Sequence, residues 1–262
     1  MFYGMCRLSV VPIRLEPSDK SELTSQLLFG EGYEIVEHRE KWLHIRTAED
    51  HYTGWIDAKQ HHEITEAFFQ SYLSDRHPRA AETVSVVTGP DGAWPITKGS
   101  LLPFFNQGTF QIGEEKYSLN GSAASAEPET DGSKITETAR QFLHAPYLWG
   151  GRTLFGIDCS GFVQQVYGLC GHRLMRDAYL QVEHGREVHF VTLAKPGDLA
   201  FFDNAEGRIV HVGIVMAENK IIHAHGQVRI DQLDHVGIFN SDRQAYSHKL
   251  RLIRRILPET EN

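Results

Sequence analysis

Cysteine is scarce in this chain. Cys6, Cys159 and Cys170 are the only three in 262 residues. That is too few, and too unevenly spaced, for a disulfide framework, and an odd number leaves one thiol unpaired. A reducing compartment is the expectation. Positive charge is also short: 26 Lys and Arg against 34 Asp and Glu give a formal charge of -8. Nucleic acid and other anionic polymers are poor partners for such a chain, because their binding needs cations to neutralise phosphates. A small peptide is an easier ligand. No apolar run suited to membrane insertion is present. Residues 1–8 lack a basic n-region, a sustained apolar core and a small-residue cleavage site, so a cytoplasmic location is expected, and Cys6 comes too early to follow a lipoprotein signal. What is present is a chain 41% hydrophobic, long enough for two or three compact domains and neither disordered nor fibrous.

One stretch organises the rest. Residues 156–167 place Asp158-Cys159-Ser160-Gly161 between a turn and an apolar-periodic run in which Phe162, Val163, Val166, Tyr167 and Leu169 fall on one helical face. The spacing predicts a helix that begins near Asp158 and stops at Gly171. Cys159 then lies in its first turn, where free amides and the helix dipole favour an anion and lower a thiol pKa. A small buried core cysteine is the plainer alternative.

Residues 211–216 and 221–226 read as two apolar strands joined by the polar turn 217–220, a hairpin with His211, His223 and His225 together at its open end. Opposed residues of an antiparallel pair sum to a constant. All three histidines carry odd numbers, so a loop of odd length points them the same way. A Cys-His-polar arrangement becomes possible, with His211 taking the thiol proton and His223 orienting the His211 ring. A metal site is the rival, since His-x-His with a nearby Asp is ligand-like, but no fourth ligand is well spaced.

Taken in order, residues 1–62 are strand-like: runs at 7–13, 26–29, 33–36, 42–45 and 54–56 are separated by Pro, Gly and charged turns. This predicts a small barrel. Residues 63–80 form a connecting segment with a short helix limited by Pro78. Residues 81–121 are again strand-like, at 83–88, 93–96, 100–105, 109–112 and 115–119, and are expected to form a second small barrel. Residues 122–133 are small, polar and aperiodic, as in an exposed linker. Ser133 then offers an N-cap for a helix carrying Ile135, Ala139, Phe142 and Leu143 on one face, and Pro146 ends it. The last domain, 134–262, starts there.

Trp42-Leu43-His44-Ile45-Arg46 followed by Tyr52-Thr53-Gly54-Trp55-Ile56 resembles a bacterial SH3-like domain. Residues 146–151 (Pro-Tyr-Leu-Trp-Gly-Gly), 158–162 (Asp-Cys-Ser-Gly-Phe), 176–181, 196–202 (Pro-Gly-Asp-Leu-Ala-Phe-Phe) and 211–215 (His-Val-Gly-Ile-Val) match, in order and spacing, the NlpC-type cell-wall cysteine peptidases. The resemblance covers roughly residues 134–256. It implies an α+β protein: two small SH3-like β-barrels followed by a papain-like cysteine peptidase domain. It also implies Cys159 as nucleophile, His211 as base and His223 as third polar residue, the last chosen over His225 for its distance from His211 and its Ile-His-Ala context. His225 becomes a neighbour or a substrate contact. Tyr147 stands where its hydroxyl would join the Cys159 amide at an oxyanion, or simply pack as an aromatic. Arg176 would pair with a substrate carboxylate or form an internal salt bridge.

Two departures concern substrate preference. Arg176-Asp177-Ala178 stands where the family has Arg, any residue, then Ser, and Met175 replaces a frequent proline. Domain order narrows the resemblance to the enzymes that recycle muropeptides in the cytoplasm. There the first barrel closes the non-primed end of the cleft, so that only peptides with a free N-terminal L-Ala fit. Asp158 and Ser160 match contacts of that group. Asp158 is the expected ammonium partner, with Glu31 and Tyr52 nominated from the first barrel. The implied reaction is hydrolysis of the γ-D-glutamyl to L-diamino acid bond (meso-diaminopimelate or Lys) by a monomer without metal or cofactor. The alternatives are an exported wall hydrolase of the same chemistry, a non-catalytic wall-peptide binding module, or acyl transfer on lipid amides.

Overall fold

A computed structural model describes residues 2–258. Met1 of the N-terminal stretch and residues 259–262 of the domain assigned to 134–262 lie outside the described residues. Two compact units result. One runs to Glu127 and includes residues 149–154, and the other comprises 128–148 and the chain from Phe155 onward.

The first unit opens with strands β1 (Phe2–Met5), β2 (Val10–Arg14), β3 (Leu23–Leu28), β4 (Gly32–Arg39), β5 (Trp42–Thr47), β6 (Thr53–Asp57) and β7 (Glu63–Ile64). They form an antiparallel sheet in the order β3-β2-β6-β5-β4-β1-β7. Period-2 alternation turns Val11, Ile13, Leu27, Leu43, Ile45 and Ile56 onto one core. The Gly-Trp motif has a steric cause: a Cβ on Gly54 would stand 2.4 Å from Ile13 Cγ2. Helix α1 (Glu66–Leu73) follows, its first turn capped by Thr65, which accepts from the Phe68 amide.

Short β8 (Arg79–Ala80), then β9 (Val84–Gly89), β10 (Gly92–Thr97), β11 (Thr109–Ile112), β12 (Glu115–Asn120) and short β13 (Ala123–Ala124) complete the unit. The middle four make an antiparallel sheet, β10-β9-β12-β11, and β8 pairs with β13. Residues 100–105, expected to be extended, are not a strand. Leu101 makes one isolated bridge to Arg79, and Pro103, which has no amide to donate, precedes Phe104 at φ 56°. The two sheets share a core in which Tyr3, Met5 and Phe29 meet Phe69 and Tyr72 of α1 and Val87, Phe110 and Tyr117.

In the second unit, helix α2 (Gly132–Arg140) is capped by Asp131, whose side chain accepts from the Ser133 amide. The cap therefore lies two residues before the expected Ser133, because a carboxylate at Asp131 reaches the first free donors of the turn. After β14 (Arg152–Thr153), which belongs to the first unit, come β15 (Gly156–Ile157), α3 (Cys159–Leu169), α4 (Ala178–Gln181) and strands β16 (Arg186–Val188), β17 (Leu199–Asp203), β18 (Ile209–Met216), β19 (Lys220–His225), β20 (Gln227–Leu233), β21 (Gly237–Asn240) and β22 (Ala245–Arg255). Their order is β16-β22-β17-β18-β19-β20-β21, and β22 also pairs with β21, so six strands close into a barrel. Ala200, Phe202, Val215, Ile221, Leu233, Ile238 and Ile253 fill its interior. Helices α2 and α3 pack against β18, with Phe142 and Phe162 in edge contact and Phe162, Val163, Val166 and Tyr167 fully buried.

Candidate active site

Helix α3 begins where its sequence predicts. Asp158 is the N-cap and its Oδ1 accepts from the Gly161 amide at 2.7 Å, which makes Cys159 the first helical residue. The Cys159 side chain is buried, and the backbone amides of Val212 and Ser160 act on its thiol, each lowering its pKa. Val212 follows His211 directly on β18, so the nucleophile candidate lies against the strand that carries the base candidate. Burial pushes the thiol up to about 12, and the neighbouring Asp158 adds to the rise against the lowering effect of the amides and Arg176. The expected low thiol pKa is thus corrected. Desolvation and an adjacent carboxylate outweigh the helix terminus, and the resting sulfur is a neutral thiol.

The histidines follow from strand register. Ile214 pairs with Ile222 and Met216 with Lys220, leaving the three-residue loop 217–219. Odd-numbered residues of both strands therefore share a face. That face carries Val215 and Ile221 into the barrel interior, and at its polar end it carries His211, His223 and His225. His211 Nε2 lies 2.8 Å from His223 Nδ1, and His223 Nε2 lies 3.0 Å from Asp231 Oδ2 on β20. Arg229 closes the chain, donating through Nε to Oδ2 at 2.7 Å and through Nη2 to Oδ1 at 2.9 Å of the same carboxylate. His248 of β22 stacks on His211, with ring centroids 4.1 Å apart at 19°. His225 lies parallel to His223 and edge-on to His248.

Burial holds His211 well below the ordinary imidazole value, and the nearby His223, His248 and His225 push the same way. His223 is also lowered, chiefly by burial and against the raising effect of Asp231. His248 falls to about 4 for the same first reason, and burial with Arg243 and Arg229 lowers His225. Burial alone would raise Asp231, but its bonds from His223 and Arg229 outweigh that and keep the carboxyl ionised. The group is a set of neutral rings ending on one carboxylate.

Ligand nitrogens of His211, His223 and His248 lie within 4.8 Å of one another, close enough to hold a metal ion. His211 and His248 are stacked nearly parallel. The bond between His211 and His223 also occupies the facing nitrogens of that pair. A metal bound there would have to displace that hydrogen bond; in this structure His211, His223 and Asp231 form a hydrogen-bonded chain.

Around Cys159, Arg176 is 1% exposed. It donates to Asp158 Oδ1 at 3.0 Å and Oδ2 at 2.6 Å, and to Ser160 Oγ at 2.9 Å. Its guanidinium forms the internal salt bridge, and Asp158, expected to hold an ammonium, is its bidentate partner. Ser160 Oγ also bonds Asp158. Ala178 opens α4, whose Asp177 N-cap forms no side-chain capping bond. Tyr147 is 37% exposed. Its amide donates to Gly226, and burial, then Cys159 and Asp158, raise its hydroxyl to about 12, which puts the ring within electrostatic reach of the nucleophile.

Within the first unit, Glu31 is buried in a bidentate pair with Arg152, with Nη1 to Oε2 at 2.7 Å and Nη2 to Oε1 at 2.8 Å. It also accepts from the Leu28 amide and lies 3.9 Å from Arg79. Tyr52 is half-buried against the barrel core, its hydroxyl 3.4 Å from the Thr24 carbonyl.

Asp231 and His248 are absent from the sequence-based set. Asp231 had a signal: it sits at an odd position in the alternating run after the Gly226 turn, and the observed pairing of His223 with Arg229 puts it two residues along the same face. His248 had none, since it arrives from a strand that meets the hairpin only through barrel closure.

A cysteine at the start of a helix packed on a barrel whose neighbouring strand carries a histidine chain is the arrangement of a papain-like cysteine peptidase. Residues 144–247 match the NlpC/P60 family and residues 13–60 the bacterial dipeptidyl-peptidase SH3 domain. A probable endopeptidase of Haemophilus influenzae is 33% identical over 131 residues, 49% of this chain and 79% of that protein. The chain belongs to the NlpC/P60 family. The gamma-D-glutamyl-L-lysine dipeptidyl-peptidase of Bacillus subtilis is 28% identical over 219 residues, 77% of this chain and 72% of that one. A solved NlpC/P60 family protein from Bacillus cereus shares the fold, with a TM-score of 0.80 at 19% identity over 98% of this chain and all of that one.

Proposed function

We propose that this peptidase hydrolyses the bond between the γ-carboxyl of D-glutamate and an L-diamino acid, lysine or meso-diaminopimelate, in peptidoglycan stem peptides. The name of the Bacillus subtilis relative supports the glutamyl-lysine bond. The chemistry rests on one observation: His211 is held through Nε2 by His223, which leaves Nδ1 for the Cys159 proton.

In the reaction, His211 Nδ1 accepts the thiol proton as the sulfur attacks the γ-glutamyl carbonyl carbon. The carbonyl electron pair moves to oxygen, where the Cys159 amide, in the first turn of α3 and without an intrahelical acceptor, can donate. Collapse of the tetrahedral species breaks the C–N bond, and the imidazolium returns its proton to the leaving amine. Water, deprotonated by His211, then cleaves the thioester, releasing the glutamyl product and restoring the thiol.

The finer assignment is to free stem peptides with an N-terminal L-Ala, recycled in the cytoplasm by a monomer. Its support is the order of the SH3-like and peptidase segments and three cysteines without a disulfide among the described residues. The test is mass spectrometry of products from L-Ala-γ-D-Glu-meso-diaminopimelate, its lysine counterpart and the N-acetylated forms, with Cys159→Ala as control. Release of L-Ala-γ-D-Glu from the free-amine peptides alone supports the assignment to free stem peptides with an N-terminal L-Ala. Equal cutting of acetylated peptides removes the recycling role and points to wall hydrolysis, and no cutting of any peptide refutes the substrate class.

A further inference from the structure

We propose that Asp231 is a positioning residue of the active site. It fixes the tautomer of His223 and, through it, that of His211, so that the nitrogen left for the thiol is the unprotonated one. This goes beyond the Cys159, His211 and His223 set and holds for any acyl substrate of the site.

The chain of bonds has a direction, and only its acidic end can set it. An ionised carboxylate accepts hydrogen bonds and donates none. Asp231 is buried with its two oxygens held by Arg229, and Arg229 is held in turn by Asp242 at 2.7 Å. The 3.0 Å contact to His223 Nε2 therefore requires the hydrogen on Nε2. A neutral imidazole carries one N–H, so His223 Nδ1 is an acceptor. Its partner at 2.8 Å, His211 Nε2, must then be the donor. Neutral His211 consequently has a bare Nδ1, which is the state a general base needs.

Without an acceptor-only group at position 231 the opposite direction is equally open. His223 Nδ1 would donate to His211 Nε2, and His211 would carry its hydrogen on Nδ1, where it cannot take another. The other groups facing His223 cannot decide between the two. His211 comes from β18, His225 lies on the same strand, His248 comes from β22 and Arg229 is opposed on β20. The three rings both donate and accept, and the guanidinium only donates. Asp231 is joined to the nucleophile through two intervening imidazoles, so it acts through them.

Nitrogen-15 NMR of the full chain with labelled imidazoles, at a pH where His211 is neutral, reads the tautomers directly. The expected result is a protonated Nε2 and a bare Nδ1 on both His211 and His223; a protonated Nδ1 on His211 overturns the proposal. The second measurement is kinetic and uses Asp231→Asn and Asp231→Glu. An asparagine amide can donate to His223 Nε2 and reverse the chain. Asp231→Asn should therefore lose about a hundredfold or more in kcat with KM changed less than about twofold, since a wrong tautomer costs a Ser-His-Asp triad about 10⁴. Asp231→Glu, which keeps an acceptor-only group, should recover at least tenfold of that loss. Asp231→Asn with kcat within about twofold of the unaltered enzyme overturns the proposal. If that variant does not fold, the tautomers of the unaltered protein still decide.

Discussion

Gly213 lies across the β18–β19 hairpin from His223, and a Cβ placed on it would stand 2.9 Å from the His223 Cβ and 2.7 Å from Ile221 Cδ1. The bare backbone is what allows His223 to reach His211 from the neighbouring strand. Gly213→Ala should displace the His223 ring and lower kcat by about 10²-fold, with overpacking costing about 1–3 kcal/mol. Steady-state kinetics together with urea unfolding would check both effects. Full activity would mean that the hairpin yields without moving the ring.

The resting pair is a neutral thiol and a neutral imidazole, since burial raises Cys159 to about 12 and holds His211 well below its usual value. The rate of kcat/KM should fall on acidification through the low His211 value and show no alkaline loss until pH nears the thiol value. Iodoacetamide alkylation of Cys159 should keep rising with pH above about 7. A plateau in alkylation on the acid side of that would reveal a thiolate–imidazolium pair and refute this expectation.

Acid should also weaken the fold. His211, His223, His225 and His248 all have lowered values, that of His248 reaching about 4. Between the ordinary imidazole value and these folded values the unfolded chain binds more protons, so stability rises with pH and is lost as pH falls. Calorimetry should find Tm dropping across that window, and less steeply in His248→Phe. Equal slopes for the two proteins would remove His248 from the account.

Arg176 and Asp158 form a buried bidentate pair at the start of α3. Arg176→Met leaves the Asp158 carboxylate uncompensated beside Cys159 and should cost about 3–5 kcal/mol in chemical denaturation. Alkylation of the thiol should also slow, since an unpaired neighbouring anion opposes thiolate formation. A change below about 1 kcal/mol would show the pair to be dispensable.

Glu31→Leu should destabilise the first unit by a similar amount, about 3–5 kcal/mol, by stranding Arg152. The double variant Glu31→Leu with Arg152→Met should recover most of the loss, because matched apolar groups replace a buried ion pair well. Thermal unfolding of the three proteins tests this. No recovery would mean that Glu31 stabilises through a partner other than Arg152. Comparing free and acetylated peptides on the double variant then asks separately whether Glu31 takes part in reading an N-terminal ammonium.

The legible parts of the site were those governed by local periodicity. A turn followed by an apolar run set the start of α3 to within one residue, and parity alone put His211, His223 and His225 on one face, because the loop 217–219 has odd length. Elsewhere local signals competed. Asp131 rather than Ser133 caps α2, and residues 100–105 carry strand-like composition but are interrupted at Pro103. The thiol departs from its expected low pKa for a different reason. The helix terminus is visible in sequence, whereas the desolvation that opposes it depends on how deeply the finished barrel covers Cys159.

From the sequence alone came Cys159 at a helix start, the histidine face of the hairpin, and the SH3-like pattern around Gly54-Trp55, each a relation between residues near in the chain. The tertiary structure decided which carboxylates are paired: Glu31 with Arg152, Asp158 with Arg176, and Asp231 with His223 and Arg229. It also brought His248 onto His211. These pairings depend on strand register and barrel closure, which no local pattern specifies, and on burial, which makes an unpaired charge too costly to leave and so selects the partner.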